Sequence, residues 1–206
     1  MKRTLTLGVV LALLLAVAAV AHAVPSRFTF GMRDAAGAAY ELMIFAADEQ
    51  FTVVGDSEIG GGYSLGDRKV KGLWQTTLRK KNGPAVKQKV LLFGDTNRGE
   101  FNLDHHMVFV LRGGKGQPDI LVVESYGCSN GNDGRLFAIK GGTLRRLAGV
   151  WYTAHAPFRL HSVGPFRFRS SDYDNSVCVW TISDWTFKVA AWKFVRDHEF
   201  NADFQI

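Results

Sequence analysis

The chain has 206 residues, 47% of them hydrophobic, and 25 Lys+Arg against 19 Asp+Glu give it a net charge of +6. That length suits one core-bearing domain behind a leader and is short for two. The mild basicity falls short of a nucleic-acid footprint, and a genomic partner is excluded further by the export signal at the start of the chain.

The first stretch, "MKRTLTLGVVLALLLAVAAVAHA", sets Lys2 and Arg3 before an apolar run that ends in "AHA". A positive start, an apolar middle and a small-residue cleavage site read as a signal peptide over residues 1–23. Its removal takes Lys2 and Arg3 with it and lowers the charge from +6 to +4. The mature chain, 24–206, is then a single domain in the periplasm or outside the cell. It has no second apolar run near the ~20 residues of a spanning helix, so no membrane span is expected.

After residue 24, short apolar or alternating runs are broken by Gly, Asn and Asp. "RFTFGM", "AYELMIFA", "FTVVGD", "KVKGLWQTTLR" and "VKQKVLLFG" come first. "HMVFVLRG", "DILVVESY", "RLFAIKG", "FRFRSS", "SVCVWTI" and "WTFKVAAWKFV" follow. β-Branched and aromatic residues dominate them, as strands prefer. In "GPFRFRSS" the period of two puts Phe166 and Phe168 on one face and aims Arg167 and Arg169 at solvent. "RDAAGA", "KKNGPA", "RGGKGQPD" and "SNGNDG" are turn signals. "AAYELMIFAADEQF" is the segment whose composition best suits a helix. The expected fold is all-β with antiparallel strands and little helix, either a small β-propeller-like architecture or a β-sandwich. A faint repeat, "VVGDSEIGGGYSL" and "LFGDTNRGEFNL", sets Leu65 and Leu103 at the spacing of propeller blades.

The pieces "FGD", "GKGQPDILVVESYG" and "GRLFAIKGGTLRRL", within residues 93–147, resemble the FG-GAP and VCBS repeats of extracellular propellers. The resemblance implies an Asp-rich calcium loop ahead of a strand pair. Here "RGGKGQPD" supplies only Asp119, with Arg112 and Lys115 beside it, so the implied calcium site is not expected.

Cys128 and Cys178 are the two cysteines, both in the mature part, and an even pair in an exported chain reads as one disulfide. The "GCSNGNDG" loop around Cys128 reads as a hairpin turn. Asn130, Asn132 and Asp133 offer too few carboxylates for a cation needing six to eight oxygens.

The histidines of "LDHHMVF", His105 and His106, would point to opposite faces of a strand. His155 and His161 show no zinc spacing either. No metal and no cofactor are therefore expected. Glu41, Glu100 and Glu124 are acids available to a hydrolase only if the fold pairs them. What remains is recognition: Trp151, Tyr152, Arg159, Arg167 and Arg169 interleave aromatic and cationic side chains suited to an acidic partner or a sugar ring. The expected function is an exported, non-catalytic binding or interaction domain for an unknown protein or an acidic or saccharide ligand, such as an envelope ligand binder or an inhibitor of a secreted enzyme. The alternative is a secreted hydrolase using His and acid residues, with or without a metal.

Overall fold

A computed structural model describes residues 26–59, 62–126, 131–153, 159–174 and 176–202, the side chains of 148, 149, 151 and 153 excepted. The expected leader, Cys128 and His155 lie outside these residues. Among them there is no α-helix, only a single 3-10 turn at Asp56–Glu58. Three antiparallel sheets succeed one another along the chain, and none closes into a barrel.

The first sheet holds β1 (Phe28–Arg33), β2 (Ala39–Ala46), β3 (Gln50–Val53), β4 (Arg68–Lys80), β5 (Ala85–Lys87) and β6 (Arg98–Asn102). Its spine is β4, 13 residues long, which pairs with β3 and β6 in its first half and with β2 and β5 in its second. Burial alternates along β2, where Tyr40, Leu42, Ile44 and Ala46 point inward. The helical composition of this segment therefore yields to a period of two, because only the strand buries all four side chains on one face.

The second sheet is the meander β7 (Val108–Leu111), β8 (Ile120–Tyr126), β9 (Gly131–Lys140) and β10 (Thr143–Thr153). The third is the meander β11 (His161–Gly164), β12 (Arg167–Asp174), β13 (Val179–Lys188) and β14 (Lys193–Ala202). Two cores separate the layers. Leu121, Val123, Phe137 and Ile139 of the second sheet pack with Leu42, Trp74 and Phe101 of the first. Ile120, Val122, Leu136 and Val150 pack from its other face with Phe168, Phe187 and Phe194 of the third. The second sheet is thus the filling of a three-layer, sandwich-like stack. Its double burial explains why "ILVV" runs apolar without alternation.

Several boundaries differ from the sequence reading. Gly131 to Gly134 belong to β9, so the second half of "GCSNGNDG" is strand and not turn. "WTFKVAAWKFV" is two strands: Trp192, at φ 50, closes a turn by donating its N–H to the Val189 carbonyl. Cys178, at φ 55, lies in the turn before β13. Phe166, at φ 59, lies in the turn before β12, so only Phe168 of the pair is a buried strand residue. The two repeat-like segments both flank the first sheet, around β3 and β6, and do not mark successive sheets.

Candidate functional site

The polar residues that draw the eye in the sequence gather at the C-terminal end of β8. Glu124 is 1% exposed and faces the second core. Its Oε1 accepts from Tyr152 Oη at 2.6 Å and from Arg159 Nη2 at 2.7 Å, and its Oε2 from Asn132 Nδ2 at 2.8 Å. Burial pushes the carboxyl above the usual glutamate value, against the pull of Arg159, Tyr152 and Asn132. Arg159 lies 4.1 Å over the Phe109 ring and also donates to the His106 carbonyl. Gly134 makes room for this cluster, since a Cβ there would come within 2.5 Å of the Tyr152 ring. The Oδ1 of buried Asn132 has no hydrogen-bond partner.

Beside it, Tyr126 Oη meets His105 Nδ1 at 2.5 Å, and His105 Nε2 is 3.6 Å from Asp67 Oδ2. Asp67 Oδ2 also accepts from Asn102 Nδ2 and from the Ser64 N–H. Tyr63 stacks edge-on against Tyr126 at 4.7 Å and donates to Glu100. Burial drives both tyrosine hydroxyls far above their ordinary range. His105 and His106 sit in the turn between β6 and β7, not on a strand, and His106 takes φ 48. Asp104 binds Arg68 in two ways, through the backbone N–H and the guanidinium. Among the described residues no three His, Cys, Asp or Glu side chains converge in a way that could hold a metal ion.

Of the five residues of the expected recognition patch, Tyr152 and Arg159 meet on Glu124, while Arg167 and Arg169 lie on β12. Tyr152 is fully buried and Arg159 is turned onto Glu124, while the Trp151 side chain lies outside the described set. Arg169 forms a two-pronged pair with Asp184, Nε to Oδ1 at 2.7 Å and Nη2 to Oδ2 at 3.0 Å. Arg167 is exposed. Asp119, whose side chain is 0% exposed, accepts from the Gly113 N–H, the Arg33 N–H and the Arg112 guanidinium. Its oxygens tie the start of β8 to the end of β1. Of the three acids singled out for a hydrolase, only Glu124 is buried; Glu41 pairs with Arg79 at 2.6 Å.

Open space lies elsewhere, around the β4–β5 turn. A cleft of about 540 Å³ is lined by Thr29, Glu41, Arg79, Lys80, Lys81 and Asn82 among others. A second, of about 470 Å³, is lined by Tyr40, Leu78, Lys80, Pro84 and Val86, with the turn Gly141–Gly142. Lys80, Tyr40 and Gly83 belong to both. The turn between them forms because Asn82 accepts φ 64 and the Gly83 N–H donates to the Lys80 carbonyl at 2.8 Å. The sequence reading used "KKNGPA" as a turn marker alone. The missed signal was three consecutive cations, "RKK", at a hairpin tip.

Compared with family models, with characterised proteins and with solved structures, the chain finds no match.

Proposed function

We propose that the chain is an exported binding domain whose ligand is anionic and rests in the larger cleft beside the β4–β5 turn. One observation carries this reading: the cleft sets Arg79, Lys80 and Lys81 against the single carboxylate of Glu41. Its volume falls within the ~300–1,000 Å³ of small-ligand sites. Two cations in excess raise the local concentration of an anion and orient its head. Export rests on the leader-like residues 1–23. The acids and histidines with most chemical promise already serve as acceptors or partners within the fold, which favours binding over turnover.

Calorimetric titration of the mature chain with inorganic phosphate and with a short oligouronate tests the reading. Affinity at low ionic strength should fall at least tenfold at high salt and be lost in a Lys80→Gln, Lys81→Gln double variant. Unchanged affinity in that variant, or no binding of either anion, would overturn it.

The Tyr126–His105–Asp67 chain favours the hydrolase as a second reading, with the Tyr126 hydroxyl facing the substrate and His105 taking its proton on Nδ1 while Asp67 holds the other ring nitrogen. Its test is turnover of ester and glycoside panels that disappears in His105→Ala.

A further inference from the structure

The two clefts share Lys80, Tyr40 and Gly83 and differ in the charged side chains beside them. Beside these, the larger holds Glu41, Arg79, Lys81 and Asn82, while the smaller adds Leu78, Pro84 and Val86 and no further charged side chain. Building on the anion-binding reading above, we propose that the ligand is an amphipathic anion with one aliphatic tail. The tail lies in the smaller cleft, and the carboxylate or phosphate head sits at Lys80 and Lys81.

The smaller cleft is an unfinished piece of the first core. In the β4–β5 ladder Val86 stands opposite Leu78, so the two side chains share a face. Leu78 is 2% exposed, yet Val86 is 54% exposed. β5 is only three residues long, and no strand continues the sheet beyond it among the described residues. The apolar face therefore runs from buried core out to open cleft without a closing side chain. The opposite wall is bare backbone, the Gly141–Gly142 turn between β9 and β10. Both glycines have positive φ, 57° and 73°, and a Cβ on Gly142 would come 3.9 Å from Tyr40 Oη. Glycine there keeps the gap between the first and second sheets free of side chains.

Lys80 fits the junction by its own chemistry. Its methylene stem can lie along the apolar floor while its ammonium reaches the polar side, as amphipathic lysines do. A small anion without a tail would leave Val86 and Pro84 in water. A neutral amphiphile would leave the cations unmatched. Only a ligand with both parts uses both clefts, and each buried methylene of its tail contributes about 0.8 kcal/mol, roughly fourfold in affinity.

The experiment is calorimetric titration of the mature full chain with decanoate and decyl phosphate below their micelle concentrations. Inorganic phosphate and acetate serve as heads without tails, and decyl maltoside as a tail without charge. Both tailed anions should bind at least tenfold tighter than either control class, and a preference between them identifies the head. Lys80→Gln, Lys81→Gln should erase the preference for anionic over neutral tails. Val86→Asp, at an exposed position and with an unchanged melting temperature, should erase the advantage of the tail and retain phosphate. Equal affinity for tailed and tail-less anions would overturn the amphipathic ligand and leave anion binding standing. Tight tailed binding that survives Val86→Asp would overturn the tail's place in this cleft. If none of the anions binds, both readings fall together.

Discussion

A carboxylate buried between two cores needs its charge answered on every side, and Glu124 shows how one is held. Tyr152, Asn132 and Arg159 come from three segments and use three of its acceptor positions. Its folded value is nevertheless raised. The unpartnered Oδ1 of Asn132 suggests why the neutral form is tolerated: with the amide turned over, that oxygen accepts from a protonated Glu124. A raised carboxyl favours folding most below the unfolded glutamate value, about 4.3. That contribution is lost as pH rises through the folded value, because the unfolded carboxyl ionises freely in water while the folded one must ionise in a buried site. Glu124→Gln donates permanently to Asn132 and keeps acceptance from Tyr152. Its stability relative to wild type should therefore increase as pH rises from 4 to 7 in denaturant melts. Glu124→Leu strands Arg159 and Tyr152 and should cost about 3–5 kcal/mol at neutral pH. A glutamine variant that loses as much as the leucine variant at every pH would show that only the charge matters.

At the scale of the strand, β12 tests how far alternation carries. Phe168 is fully buried in the second core, and Phe168→Ala should cost about 3–5 kcal/mol in urea melts. Arg167→Ala should stay within about 0.5 kcal/mol, as exposed positions do. Alternation alone would give Arg169 the same small effect, because it shares a face with Arg167. The register places Arg169 opposite Asp184, which is 7% exposed, and this changes the expectation. Arg169→Ala leaves a buried carboxylate without its two-pronged partner and should cost about 1–3 kcal/mol. The guanidinium beside Asp184 holds that carboxyl below its usual range, so the contribution is present above the unfolded value and lost as pH falls through the folded one. An Arg169→Ala cost that does not shrink toward pH 3 would count against this account.

The same strand shows what a sequence can carry. Which residues are strands was legible wherever one face alone is buried, as in β2, β4 and β12. It was least legible in β10, whose "TLRRLAGVWYT" mixes both periods because this end strand of the second sheet shifts register between Arg146 and Ala148. Partner identity was not legible at all. Nothing local to Arg159 announces Glu124, 35 residues earlier, and nothing in "KKNGPA" announces a cleft wall at Gly141. Such meetings depend on register and layer order, which a single strand does not encode.

For the molecule as a whole, the question is what joins the third layer to the second. The second core is their shared apolar interface, and Arg159 adds a polar clasp. The expected Cys128–Cys178 bond would add a covalent one, between the segment that follows β8 in the sequence and the turn before β13. Cys178 is exposed at that turn, beside the Tyr173 hydroxyl, and Cys128 lies outside the described residues; no disulfide forms among those described. A bond closing a loop of this size should stabilise the fold by about 3–5 kcal/mol in the chain-entropy picture. Thiol titration of the exported protein, unfolded without reductant, should then find no reactive thiol, and reduction should lower the denaturation midpoint and steepen the slope, because the uncrosslinked unfolded chain exposes more surface. Two titratable thiols per chain would remove the staple and leave the second core and Glu124's clasp to hold the layers alone. In that case Glu124→Leu should split denaturant unfolding into two steps, with the third sheet melting first. With the disulfide intact, the same variant should still unfold in one step at a lower midpoint.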